Sequence, residues 1–308
     1  MERRHDIDWL RVIAIGLLIV YHSAIGFQPW GALIGFIQNS ESLAWIWYPM
    51  AMLNMWRIPI LFFVSGMGVF FSMKKRGLIK LLLERSQRIL IPFIFGVFAI
   101  VPIHIIIWQN YYYQDIQYSF GQSHLWFLLN IIIYTLIISP LVYWIRRTKM
   151  SIWIQKIQKW SVQPLVFILV TILYVLESNL LKPELYTLYA FTNHGYLMGF
   201  ISFGAGFFMM SLSKDFWECF KIWKWFYAVL AIVLFSIRII IYDLEAPYYL
   251  MSIESAAWIF AVFGFFYHYA NHSGAILHYL SKAAYPVYII HMIAQYGISS
   301  LLFPLGIS

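Results

Sequence analysis

The sequence predicts an all-α, polytopic membrane helix bundle of about nine spans with its N-terminus in the cytoplasm, and three observations lead there. The first is composition. Of 308 residues, 62% are hydrophobic, 20% aromatic and only 11% charged, against about 25% charged in an average soluble domain. A water-soluble fold of this length cannot hide so much apolar surface, so the surplus faces lipid. The second is periodic recurrence of apolar stretches long enough to cross about 30 Å of hydrocarbon. They fall at 7–27, 46–72, 89–108, 124–145, 164–181, 194–212, 225–242, 250–270 and 283–303. The third is the charge of the segments between them.

Alternate segments hold most of the 21 basic residues. They are the N-terminus (Arg3, Arg4), 73–88 (Lys74, Lys75, Arg76, Lys80, Arg85, Arg88), 146–163 (Arg146, Arg147, Lys149, Lys156, Lys159), 213–224 (Lys214, Lys221, Lys224) and 271–282 (Lys282). The intervening ones carry Glu41, Asp115, Glu184, Asp243 and Glu245, with only Lys182 basic. The positive-inside rule then places the N-terminus in the cytoplasm. A net charge of +8 would suggest nucleic acid in a soluble protein; distributed in this way it reports topology, and the expected partner is the lipid bilayer. The single cysteine, Cys219, cannot close an internal disulfide.

The first span follows Arg3 and Arg4 as a signal peptide would. Arg11 and His22 interrupt its apolar run and no small-residue cleavage site follows, so it reads as a retained helix. Eleven residues at about 100° each overshoot three turns by about 20°, which sets Arg11 and His22 on one face roughly 16 Å apart along the axis. Asp8 lies within ion-pair reach of Arg11. In the second span, Arg57 and Pro59 suggest a segment that begins at the interface, and Ser65-Gly66 permits close helix approach. Arg85 and Arg88, three residues apart at the inner interface, suit phosphate oxygens or anionic lipid. His104, His124 and His194 fall towards the outer ends of their spans, as does His22. No His or Cys spacing matches a metal motif, so no metal is expected. Glu177 and Arg238 are expected to reach water near outer span ends, and Glu254 is a further buried charge.

Several of these residues form an ordered series: Asp8-Trp9-Leu10-Arg11, ten residues, then His22; Arg57-x-Pro-x-x-Phe-Phe-x-x-Ser65-Gly66; Arg85-x-x-Arg88-Ile-x-x-Pro92; His124-x-Trp126-Phe127; and Tyr285-Pro-Val-Tyr-Ile-Ile-His291. The series resembles the membrane acyltransferase family 3, over effectively the whole chain. Within that family it is most similar to the glucan biosynthesis protein C type. The resemblance implies an enzyme of about ten helices that moves an acyl group, acetyl or succinyl, from cytoplasmic acyl-CoA to a hydroxyl of a sugar or cell-envelope glycan. It implies His22 as the catalytic histidine with Arg11 as its motif partner, and Arg85 and Arg88 as the acyl-CoA-binding pair. Asp8, Arg57, Ser65, His124, Trp126, His194, Tyr285 and His291 become candidate pocket residues. No permanently bound cofactor is implied, acyl-CoA being a substrate, and the location implied is the bacterial inner membrane. On this reading residues 1–308 are one integral membrane acyltransferase domain that lacks the family's final C-terminal helix. The competing classes are a transporter or flippase, with buried Arg and His lining its path, and a non-catalytic membrane scaffold.

Overall fold

A computed structural model describes residues 4–146, 156, 158 and 162–306, with Arg146 described by its backbone alone. Arg3 and most of the basic segment 146–163, including Arg147, Lys149 and Lys159, lie outside the described residues. Among the described residues there is no strand, and nine long helices carry the fold. They are α1 His5–Ile25, α2 Trp47–Lys75, α3 Leu78–Tyr111, α4 Trp126–Arg146, α5 Gln163–Leu181, α6 Asn193–Met209, α7 Lys214–Ile240, α8 Tyr248–Tyr269 and α9 Ala275–Leu302. Among the described residues eight segments are long and apolar enough to cross a membrane; α6, at 17 residues, is the short one. The chain is an integral membrane protein.

Nine helices match the nine expected spans, but three start earlier than expected. Helix α3 begins at Leu78, α7 at Lys214 and α9 at Ala275. Thus the expected basic loops 73–88 and 213–224 are mostly helix, and only Arg76 and Gly77 separate α2 from α3. Apolarity marks where a helix meets hydrocarbon, whereas backbone hydrogen bonding continues into the polar interface. Helix α3 contains π-turns at Ser86–Leu90 and Gly96–Ile100. Each is followed two residues on by a proline, Pro92 or Pro102, whose missing N–H the widened ladder absorbs.

Helix α2 packs against α1, α4, α6 and α8 and forms the centre of the bundle. It is continuous through Pro59. That proline leaves the Met55 carbonyl without its helical donor, and the Ser255 hydroxyl on α8 supplies one at 2.6 Å. A Cβ added at Gly66 would lie 2.0 Å from the Phe203 carbonyl oxygen, and one added at Gly206 would lie 2.1 Å from that of Phe63. The α2 and α6 backbones therefore touch through reciprocal glycines, the arrangement small residues allow inside lipid. Arg57, expected near the boundary, is in the middle of α2 and 1% exposed. The compensated ladder at Pro59 lets the helix run past the arginine unbroken.

Helices α1 and α2 pair antiparallel. Leu18 and His22 share a cavity with Ile58 and Leu61, and Asp8 and Arg11 share another with Gly68 and Ser72. One helix pair thereby frames a cavity at each end of the bundle.

Candidate active site

The cavity at the end remote from the N-terminus measures about 460 Å³. Helix α1 contributes Tyr21 and His22, α2 contributes Asn54 and Arg57, and α9 contributes Tyr288. His124 enters from the 3₁₀ turn that precedes α4 and Trp126 from the first residue of α4, and the α5–α6 connection closes the cavity with residues 187–191.

His22 Nδ1 lies 3.0 Å from His291 Nε2, with the two rings stacked at 5.2 Å between centroids. His291 Nδ1 lies 2.7 Å from the Tyr288 carbonyl oxygen. A carbonyl can only accept, so His291 carries its proton on Nδ1. Neutral His291 then accepts at Nε2, and His22 must donate from Nδ1. This leaves the Nε2 lone pair of His22 uncommitted. The backbone is pinned as well, because the Gln295 side-chain amide donates to the His22 carbonyl at 2.6 Å. His124 donates from Nε2 to the Ile289 carbonyl at 2.9 Å, and its ring stands edge-on to His291 at 5.0 Å. His104 follows, 5.6 Å from His124 and within 3.2 Å of the Ser123 hydroxyl.

Arg57 faces the same space. Its Nη2 donates to Asn54 Oδ1 at 3.2 Å, Asn54 in turn donates to the Tyr21 hydroxyl at 2.6 Å, and the guanidinium sits 4.2 Å over the Tyr21 ring. Among the described residues no carboxylate pairs with it, and its Nε and Nη1 make no protein hydrogen bond. A buried cation so placed favours negative charge developing nearby. In the α5–α6 connection, burial pushes the Tyr189 phenol well above its ordinary value, so it stays a neutral donor.

The second cavity, about 600 Å³, lies at the opposite end and is lined by Arg4, Arg11, Lys74, Lys75, Arg76 and Arg88 with Asp8 and Glu84. Arg11 pairs with Asp8 at 3.6 Å, and Glu84 bridges Arg76 and Arg88, the latter at 3.2 Å. Cations outnumber carboxylates, so the lining is electropositive. Arg85 stands behind it, donating to the Gly68 carbonyl at 3.1 Å and the Ser72 hydroxyl at 2.9 Å. Arg88 points outward with a side chain 72% exposed.

A family model described as an acyltransferase domain matches residues 4–308. The chain belongs to the membrane acyltransferase family 3. No curated protein and no solved structure matches it. The chain is therefore an acyltransferase, and the transporter, flippase and scaffold readings fall away.

Within this acyltransferase, the residues expected from the sequence separate into groups. His22, Arg57, His124 and Trp126 line the remote cavity, with His291 behind His22. Arg11, Asp8 and Arg88 line the basic one, roughly 16 Å along α1 from His22. Arg11 and His22 share a helix face without sharing a cavity. Ser65 donates to its own helix at Leu61, 2.8 Å. The Tyr285 hydroxyl is buried with no hydrogen-bond partner.

His194 belongs to the scaffold of the acyltransferase. Its Nδ1 meets Glu177 at 2.9 Å, its Nε2 donates to the Tyr186 carbonyl at 2.8 Å, and Tyr189 stacks on its ring. That pair anchors the loop that closes the cavity. Glu177 and Arg238 were expected to reach water from their positions near span ends; both are instead buried. Glu177 holds His194, and Arg238 binds Glu254 at 2.7 Å; pairing is what makes such burial tolerable. Asn54 and Tyr21 were not singled out in the sequence. Asn54 stands three residues before Arg57, one helical step on the same face, and that polar pair in an apolar span was the available signal. Among the described residues no cluster of three His, Cys, Asp or Glu is placed to hold a metal ion.

Proposed function

We propose that this acyltransferase moves an acetyl or succinyl group from cytoplasmic acyl-CoA to a hydroxyl of a sugar or cell-envelope glycan, in a bacterial inner membrane. The observation that supports this most is the placement of two unlike cavities at opposite ends of the α1–α2 pair. One is electropositive and lies on the side the positive-inside rule assigns to the cytoplasm. The other presents a histidine with an uncommitted nitrogen. On this reading Arg11, Arg88 and their lysine neighbours hold the CoA phosphates, with Arg85 shaping the wall behind them. The pantetheine arm runs along the α1–α2 seam and delivers the thioester to His22.

His22 Nε2 takes the proton of the acceptor hydroxyl as its oxygen attacks the thioester carbonyl. The Arg57 N–H groups face the oxyanion that forms. The C–S bond then breaks, the CoA sulfur leaves with the proton from His22, and the ester remains on the glycan. His291 keeps His22 in the tautomer this requires. Arg11 is a donor-side residue in this scheme, although the family resemblance pairs it with His22. The Arg57 and His124 motif wording favours the glucan biosynthesis protein C type, and residues 1–308 are read as one acyltransferase domain. No nucleic acid and no resident cofactor take part.

The test is transfer of labelled acetyl from acetyl-CoA to glycan by the full chain in sealed vesicles, with His22→Gln as control. Gln keeps most of the volume but cannot take a proton, so turnover falls about 10²–10⁴-fold in a folded protein. Near-normal transfer by a folded Gln variant removes His22 from the mechanism.

A further inference from the structure

A groove of about 1120 Å³ lies at the His22 end, between the lead-in to α2, the α5–α6 connection and the α7–α8 connection. Thr187 lines both this groove and the catalytic cavity. The proton and oxyanion chemistry above does not use it. Its lining combines two kinds of group. Trp45, Tyr48 and Tyr249 are 66%, 46% and 52% exposed, so large ring surfaces are open to an occupant. Glu184, Asp243 and Glu245, all exposed, supply carboxylates. Arg238 forms part of the floor but is already bound to Glu254 and to the Ala51 carbonyl, so it does not neutralise that rim.

The α7–α8 turn that carries two of the three acids is strained. Asp243 and Leu244 both have positive φ, 45° and 72°, which costs about 1 kcal/mol or more for each non-glycine residue. Two backbone hydrogen bonds of 2.9 Å, Leu244 N–H to Arg238 O and Glu245 N–H to Tyr242 O, hold it closed. Strain persists where the surroundings over-determine it, and here it sets the carboxylates at the groove edge.

We infer that this groove binds the acceptor glycan chain beside the hydroxyl that is acylated, as a subsite for a neutral or amino-bearing oligosaccharide. The inference rests on the acyl-transfer reading. A sugar ring packs its C–H face on an aromatic ring and turns its hydroxyl edge outward, where carboxylates accept strong hydrogen bonds. The negative rim repels anionic headgroups and CoA phosphates. An interfacial aromatic belt accounts for Trp and Tyr at this level, but not for three acids converging with them in one concavity. A groove larger than the catalytic cavity suits a chain of sugars, with only the reacting unit passing Thr187.

Saturation-transfer NMR on the full chain in micelles tests this, with a linear neutral gluco-hexasaccharide as the probe. The hexasaccharide should receive saturation from aromatic protons, and a Trp45→Ala, Glu245→Gln double variant, altered at exposed positions, should bind it about tenfold more weakly. CoA release from acetyl-CoA without acceptor should be unchanged in that variant. Absence of hexasaccharide binding by the wild type, equal binding by the double variant, equal binding of an oligogalacturonate of the same length, or displacement by phosphoethanolamine would each overturn the inference. Groove-dependent hexasaccharide binding without any turnover of acetyl-CoA or succinyl-CoA would instead uphold the subsite and sink the acyl-transfer reading.

Discussion

His22 and Arg11 sit on one face of α1, yet their surroundings differ in kind. Around His22 the polar atoms are placed by directional bonds: His22 to His291, His291 to the Tyr288 carbonyl, Arg57 to Asn54, Asn54 to Tyr21. Around Arg11 long cations share two acids, and Arg88 extends into solvent. The contrast follows from the two tasks proposed for them. Proton transfer needs one nitrogen in one tautomer at one place, which only a packed and hydrogen-bonded setting enforces. Holding several phosphates needs charge density and tolerates imprecise geometry, because Coulomb attraction falls off gently with distance. Substitutions should therefore act sharply at one end and gradually at the other.

The largest effect expected after His22→Gln is at Arg57. Arg57→Gln should lower kcat about 10²–10³-fold, the size of losing an oxyanion donor, while the KM for acyl-CoA stays put. A KM effect alone would place Arg57 in binding and blur the contrast between the two ends. Next comes the scaffold that both ends share. Gly66→Val drives a side chain into the Phe203 carbonyl, and thermal unfolding should show a loss of about 1–3 kcal/mol or more. Both acyl-CoA binding and turnover should suffer together, since α2 lines both cavities.

His291→Leu should cost about tenfold in kcat, one hydrogen bond's worth of tautomer control, without moving donor KM. His291→Gln, which can still accept from His22, should recover most of the loss; equal defects in both variants would mean that His291 merely fills space. The smallest and most gradual effect belongs to the basic end. Arg85→Gln with Arg88→Gln should raise the KM for acyl-CoA about tenfold, and added salt should shrink the difference from wild type by screening the remaining cations. A kcat loss with unchanged KM would contradict a donor-binding role.

Much of this was legible from residue types and spacing. The apolar share and the nine apolar stretches required a membrane bundle, because lipid-exposed backbone must satisfy its hydrogen bonds within each helix. Charge alternation assigned the ends, and the spacing of Arg11 and His22 put them on one face, since a helix repeats locally. The motif series also brought His22, Arg57, His124 and His291 forward as candidates. What those residues do to one another was not legible. His291 lies 269 positions from His22, and no local period links α1 to α9.

Three further features depended on tertiary packing alone. Arg57 runs deep because Ser255 satisfies the carbonyl freed by Pro59, so a residue that reads as interfacial becomes part of a buried site. Glu177 became a structural partner of His194 instead of a wet surface acid because α5 and α6 pack side by side. Helix ends overran the apolar stretches because hydropathy senses the solvent outside a helix, not the hydrogen bonds along it. The sequence by itself determined the class, the nine apolar spans found among the described residues and which side chains sit on each face, since all of these follow from periodicity within a segment. Which faces meet, and so which histidine holds which tautomer and which groove opens beside it, was decided only when the reciprocal glycines let α2 and α6 close together and the other helices packed around α2.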